Sequence, residues 1–308
     1  MHAGAQFKQD ARPQDASAVN PEEGELKTRH VLLVALLLFA LAVVPMAVGC
    51  GGPDFAEEEV DDFIASIEKS DNIDTPETIE KGWIQGGSDT AFPPMEFSDG
   101  AGGYIGFDVD LCTALAHKMG LKLQVVSTAW DGIIPGLLGD RYDIIMSAMS
   151  ITEERLEQVN FTDAYLPGIL AITAPIDAPV TSAEELAGKV VGVQVDTTGQ
   201  FAVEEVEGVK EIKKYPDILT AFQDLAAGRV ECVVNDEPVN AYIIQTNEDY
   251  KAKYANTGGI VTVNDYGYAI KKESTDLLEA MNKALAEIIA DGTYQKICDK
   301  WGLTGVNQ

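Results

Sequence analysis

The sequence predicts an α/β fold of mainly parallel sheets covered on both faces by helices. Two observations carry that reading. From about Lys81 to Trp301, short apolar runs alternate with helical patterns, as βαβ units do. The alternation breaks once, around Tyr165–Ile169, where one set of units ends and "GILAITA" begins another. A third observation points to function. Five strand ends carry polar or aromatic groups, and open sheets of this kind bind ligands outside the carboxyl ends of their strands.

In the first set, "GWIQGGS" reads as a strand, "GFDVDLCTALAHKMG" as a helix and "LKLQVVS" as a strand. "WDGIIPGLLG" follows as a short helix and "YDIIMSAM" as a strand. In the second set, "KVVGVQV", "VKEIKKY" and "RVECVVN" read as strands, with helices at about 199–206, 218–227 and 238–246. "IVTVNDYGYAI" then leads to two closing helices, about 275–290 and 293–301, punctuated by "DGTY".

The N-terminal side reads differently. Lys27, Arg29 and His30 precede an uncharged apolar run over 31–49, a targeting segment that ends at Cys50. "AVGC" resembles the lipobox of a bacterial lipoprotein, with Ala47 where a larger aliphatic residue is usual, so lipidation of Cys50 is expected. A transmembrane anchor is the other reading of the run. Both put the rest of the chain on the extracytoplasmic face of the cell membrane. Residues 50–80 form an acidic tether, with eleven acids and one base between Asp54 and Glu80. Val60, Phe63, Ile64 and Ile67 fall at helical spacing within it. A solvated spacer carrying one short helix is the expectation, with docking of that helix on the domain or on a membrane partner as the alternative.

Charge and histidine count exclude whole classes of chemistry. Fifty acids against 22 bases give a net charge of −28, which repels nucleic acid and anionic lipid from the folded part. Beyond residue 49 only His117 remains. A zinc site built on several histidines is therefore impossible, and a Ser-His-Asp triad would have to use a residue that sits in a helical pattern. No catalytic residue, metal or cofactor is expected.

Three arginines lie beyond the leader, and Arg141 and Arg229 occupy turn-like contexts. Arg155 instead falls in the first turn of a helix, where a cation opposes the macrodipole and needs a reason. A bound carboxylate supplies one, through bidentate guanidinium bonds and free helix amides. The alternative is a plain capping box, Ser150 with Glu153, and Arg155 paired to a neighbouring acid. Thr197 and Thr198 open a second helix. Asp236, two residues before Pro238, reads as an N-cap or as the receiver of an ammonium group. Phe92 and Trp130, beside Asp89 and Asp131, read as pocket walls. One cation, one anion and two rings describe a site for a free α-amino acid, both of whose charges must be paired on burial.

The runs "SDTAFPPMEF", "GFDVDL", "WDGIIPGLL", "YDIIMSAMSITEER", "VNFTDAY", "GVQVDTTGQ", "AGRVECVVND" and "DGTYQKICDKWG", in that order, resemble family 3 solute-binding proteins of bacterial ABC importers. Members include glutamine-binding and lysine/arginine/ornithine-binding proteins. The resemblance implies a two-lobe, periplasmic-binding-protein-like (type II) clamshell with two crossover segments. Lobe 1 would comprise 81–164 plus 267–308, and lobe 2 165–266. It also implies the roles. Arg155 holds the ligand carboxylate, with the Ala148 carbonyl, the Ser150 hydroxyl and the Thr198 amide beside it. Asp236 holds the α-ammonium, Phe92 and Trp130 sandwich the side chain, and Asp89 lies near its tip. Gln194 lines the pocket, and Asp196 stands where a glycine is common. The expected partners are a free polar neutral or basic amino acid, an ABC transporter permease, and the membrane through the lipid anchor.

Two rival readings stay open at this level. One is an enzyme of the same fold, a cyclohexadienyl dehydratase acting on arogenate or prephenate, although prephenate wants two cations and only Arg155 can be placed. The other is a sensor reporting to a membrane receptor. Cys112 and Cys298 fall on helices of the same lobe, where a disulfide is an open possibility. Cys232 reads as a small buried hydrophobe.

Overall fold

A computed structural model describes residues 57–305. The leader, Cys50 and the start of the tether lie outside the described residues. In chain order the elements are α1 (Glu57–Ala65), β1 (Trp83–Ser88), β2 (Ala91–Phe92), β3 (Glu96–Ser98), β4 (Tyr104–Ile105), α2 (Phe107–Lys118), β5 (Lys122–Ser127), a 3₁₀ turn (Trp130–Gly132), α3 (Ile133–Leu138), β6 (Ile144–Ile145), α4 (Glu153–Gln158) and β7 (Asn160–Phe161). There follow β8 (Ile169–Pro175), a 3₁₀ turn (Glu184–Leu186), β9 (Val190–Gln194), α5 (Thr198–Glu204), β10 (Glu211–Tyr215), α6 (Ile218–Ala226), β11 (Cys232–Asp236), α7 (Glu237–Thr246), α8 (Glu248–Lys251) and β12 (Tyr254–Val263). The chain closes with β13 (Ala269–Ile270), α9 (Thr275–Ala290) and α10 (Thr293–Trp301).

Two five-stranded sheets organise these elements, in the orders β5-β1-β6-β13-β7 and β10-β9-β11-β8-β12. The first draws its strands from residues 83–161 and 269–270, the second from 169–263. Each sheet is mixed, which departs from the mainly parallel expectation. β5, β1 and β6 run parallel, as do β10, β9 and β11, whereas β13, β7, β8 and β12 pair antiparallel. The reason is topological. Strands joined through helices return in the same direction. β8 and β13 instead enter their sheets directly from a crossing between the two sheets.

Those two crossings lie side by side. Tyr266 N–H donates to the Leu166 carbonyl at 2.8 Å, and Tyr165 N–H donates to the Tyr266 carbonyl at 2.9 Å. Beyond them, Asn264 N–H reaches the Gly168 carbonyl at 3.1 Å. A Cβ on Gly168 would stand 2.2 Å from the Asn264 carbonyl oxygen, so only glycine lets the two segments approach this closely.

The first sheet is backed by α2, whose Phe107, Leu111 and Leu115 repeat every four residues and are fully buried. Acids occupy its first turn and His117 and Lys118 its last, in accord with the macrodipole. α9 and α10 pack against α2. So does α1, contrary to the solvated-spacer expectation. Val60, Ile64 and Ile73 are buried in the same core. Asp61 pairs with Lys300, and Lys296 Nζ stands 3.7 Å from the Phe63 ring centroid. His117 Nδ1 lies 3.0 Å from the Ile64 carbonyl, its ring serving as a strut. Asp61 and Asp62 are exposed, while the apolar stripe of the helix covers α2 and α10.

The open question of a disulfide is answered too. Cys112, Cys232 and Cys298 are all free, buried thiols.

Truncating the docked stripe should cost stability. Ile64→Ala is expected to lower the unfolding free energy by roughly 2–5 kcal/mol, the range for a buried isoleucine. Urea titration of the two proteins measures it, and an unchanged midpoint would mean the helix does not belong to the folded unit.

Candidate functional site

The carboxyl ends of the parallel strands converge on one cavity between the two sheets. Asp89 and Phe92 come from beyond β1, and Trp130 from the turn after β5. Ser147, Ala148, Ser150 and Arg155 come from the segment after β6. Gln194, Thr197 and Thr198 lie at the end of β9, and Asp236 at the end of β11. The space between these side chains amounts to about 310 Å³, its open side included. All nine residues expected from the sequence line it. Ser147 and Thr197 also line it; each is adjacent in sequence to an expected residue, so only the choice of neighbour was missed.

Arg155 is 7% exposed. Its Nη1 donates to the Ser150 carbonyl at 2.9 Å, and its guanidinium carbon stands 5.3 Å from the Trp130 ring centroid. Burial draws its pKa down to about 10, partly offset by the charges of Asp236 and Glu154. It therefore stays cationic near neutrality. The helix cap is Thr152 and not the alternative Ser150. Thr152 accepts from the Arg155 amide at 3.2 Å. Ser150 is tied by a β-bridge to Tyr266, so the helix starts two residues later and leaves Ser150 at the cavity wall.

Asp236 approaches from the other sheet. It precedes α7 but makes no side-chain cap bond. Burial pushes its carboxyl up to about 6, with the Tyr266 hydroxyl and the Arg155 charge pulling the other way. Its anionic form is thus held by groups from the first sheet and from a crossing segment.

Asp89 is a second acid in a different electrostatic setting. Burial pushes it up to about 6, a bond from Gln194 opposes this, and Asp217 and Asp131 add further repulsion. Among the described residues, the charges that shift it are both acids; Arg155 lines the same cavity but is not among them. Gln194 Nε2 donates to Asp89 Oδ2 at 2.6 Å and to the Pro216 carbonyl at 3.2 Å. Trp130 Nε1 likewise donates across the cleft, to the Asp196 carbonyl at 2.9 Å. Asp196 has φ 56° and an exposed side chain. Its backbone takes the left-handed conformation that favours glycine and that aspartate tolerates, while its carboxylate stays out of the cavity.

Outside the inner cavity lies a wider groove of about 1380 Å³. Asp131, Glu154, Asp196 and Glu205 line it, and Arg155 is its one cation among the described residues. Among the described residues, no group of three or more histidines, cysteines or acids is placed to hold a metal ion.

Residues 84–304 match the family described as bacterial extracellular solute-binding proteins, family 3. The L-cystine-binding protein TcyJ of Escherichia coli strain K12 is 31% identical over 225 residues, covering 72% of this chain and 83% of that protein. ABC transporter arginine-binding protein 1 of the same strain is 34% identical over 226 residues, covering 71% and 90%. Both relatives bear the names of transport-binding proteins and not of enzymes. A solved structure, an ancestral arginine-binding protein bound to arginine, superposes with a TM-score of 0.69 at 38% identity, over 72% of this chain and 98% of that one.

The two raised carboxyls fix a pH dependence. Each has a folded-state pKa above the ordinary aspartate value of ~3.9. Their contribution to stability is therefore complete below about pH 4 and is lost as pH rises through about 6. The melting temperature of the ligand-free protein should fall between about pH 4 and 6, and Asp89→Asn should flatten that fall. Calorimetric scans at several pH values test both statements; slopes that are the same in variant and wild type would count against the second.

Proposed function

The chain belongs to the bacterial extracellular solute-binding proteins, family 3, and on that premise we propose that it captures a free, cationic L-amino acid outside the cell and delivers it to the permease of an ABC importer. The fold is the two-lobe type II clamshell of amino-acid-binding proteins. One observation carries the reading: Arg155 from one sheet and Asp236 from the other line the same cavity, and each is buried enough to need a counter-charge.

A zwitterion completes that arrangement. Its carboxylate takes guanidinium N–H bonds at Arg155, next to Ser150 and the start of α5. Its ammonium takes the place of a cation at Asp236. Phe92 and Trp130 flank the side chain. Contacts to both sheets are what allow a ligand to favour the closed arrangement, since only differential affinity shifts such an equilibrium. Gln194–Asp89 and Trp130–Asp196 already join the two halves in that arrangement.

The side-chain preference follows from Asp89. A buried carboxylate repelled by Asp131 and Asp217 and lacking any cation is stabilised most by a positively charged side chain. The acid-lined outer groove favours entry of a cation as well. Arginine, lysine and ornithine fit both features, whereas glutamate and aspartate oppose both. Attachment to the membrane through a lipidated Cys50 belongs to the same proposal. It rests on the apolar leader and the "AVGC" boundary, and two acyl chains suffice for stable anchoring.

Thermal-shift titration of the chain lacking residues 1–49 tests the binding. Arginine or lysine at 100 times its Kd should add ~2.7 kcal/mol of stability. Arg155→Ala should abolish the shift for every amino acid. Asp89→Asn should weaken arginine selectively and spare glutamine. No shift with any amino acid, or a preference for glutamate, would sink the proposal. For the anchor, Cys50→Ser should release the protein from the membrane fraction.

A further inference from the structure

Two carboxyl groups that contact no part of the cavity lie directly behind its wall. Glu96 on β3 and Asp108 in the first turn of α2 are both fully buried. Three of their bonds are accounted for. Ser147 Oγ donates to Glu96 Oε1 at 2.6 Å. The Ala148 N–H and the Tyr165 hydroxyl donate to Asp108 Oδ2 at 2.7 and 2.9 Å. The remaining oxygens, Glu96 Oε2 and Asp108 Oδ1, are buried and receive no donor among the described residues. Each carboxyl acts electrostatically on the other, so the pair lies side by side. Two ionised carboxylates cannot hydrogen-bond, because both are acceptors only, whereas a single hydrogen shared between Oε2 and Oδ1 would satisfy both.

The surroundings offer no other remedy. The titratable groups facing the pair are Asp89 beyond β1, Cys112 on α2, Tyr165 on the outgoing crossing, and Tyr266 and Tyr268 on the returning one. None is a cation. Burial raises both acids, and the charge of Asp108 raises Glu96 further.

What the pair holds is the cavity wall. Ser147, bonded to Glu96, accepts the backbone N–H of Asp89 at 3.0 Å. Ala148, bonded to Asp108, has φ 42°, a left-handed conformation unfavourable for alanine that persists only when its surroundings impose it. We propose that Glu96 and Asp108 share one proton at neutral pH and that this bridged pair is the positioning device for the amino-acid site, fixing the Ser147–Ala148 wall and the Asp89 backbone together. Its effect on binding rests on the reading of the cavity given above; its effect on stability does not.

Sign and test follow from the hydrogen count. A proton retained in the folded state and lost from the unfolded chain stabilises at low pH, and its contribution disappears as pH rises through the folded-state pKa. In the intact chain, Glu96→Gln places an amide donor against Asp108 Oδ1, and Asp108→Asn places one against Glu96 Oε2. Each single variant reproduces the bridge without a titrating proton. The double variant sets two NH₂ groups against each other. Melting of the ligand-free proteins from pH 6 to 9, with calorimetric titration of L-arginine, reads the outcome. Each single variant should melt close to wild type at pH 6 and decline less toward pH 9. The double variant should lose more than the sum of the two. Arginine affinity of Glu96→Gln should exceed that of wild type several-fold at pH 9 and match it at pH 6. The proposal is overturned if the double variant is as stable as either single one, if the pH slopes coincide with wild type, or if both single variants fail to fold. Should the melting pattern hold while arginine never binds, the pair stands and the binding reading falls.

Discussion

A guanidinium withdrawn from water is the constraint around which the cavity is arranged. Arg155 keeps its charge through a carbonyl, an aromatic face and a carboxylate supplied by three different segments. An ion this far buried costs several kcal/mol unless its partners are well placed. The segment after β6 must therefore bring Ser150 and Arg155 to the same wall, and β11 must end where Asp236 can answer them. The side-by-side crossings make this possible, since Tyr266 bridges to Ser150 and Leu166 while its hydroxyl lies beside Asp236. One tyrosine thus connects the place where the chain changes sheets with the place where opposite charges meet.

The second acid plays against the first. Asp236 has a cation for company and Asp89 has none. Two carboxyls raised to about the same value in one cavity are therefore chemically unequal. The first has the Arg155 charge and the Tyr266 hydroxyl acting on it within the protein. The second, held only by an amide from the opposite sheet, remains the more demanding site and the natural basis for selecting among ligands. Behind both, Glu96 and Asp108 show that the wall itself is built from acids whose burial is tolerable only through neighbouring donors and a proton.

Much of this was legible because strand ends are easy to find in a sequence. A buried apolar run stops, and the next polar or aromatic residue must stand at the sheet's edge; Asp89, Trp130, Gln194 and Asp236 all follow that rule. Cap assignment was less accessible. Ser150 and Thr152 are both competent caps, and only the tertiary bridge from Tyr266 decides between them. The antiparallel strands were less legible, because alternation of elements does not reveal where the chain leaves one sheet for the other. The apolar stripe of α1 was legible among the eleven acids, but the surface it docks on lies far along the chain, and nothing local decides between docking and solvation. The Glu96–Asp108 contact, bridging a strand and a helix, left no sequence signal at all.

The two crossings, packed against each other at Gly168 and Asn264, have an evolutionary and practical corollary. Everything between them is one uninterrupted stretch of polypeptide, and it carries Gln194, Thr197, Thr198 and Asp236 together. Recombination at just two neighbouring joints could exchange that cassette whole, altering four of the eleven lining residues while the host part keeps Arg155, Trp130 and Asp89 intact. Chimaeras between homologues spliced at those joints would redistribute specificity in a single event, without the stepwise loss of fit that point substitutions impose.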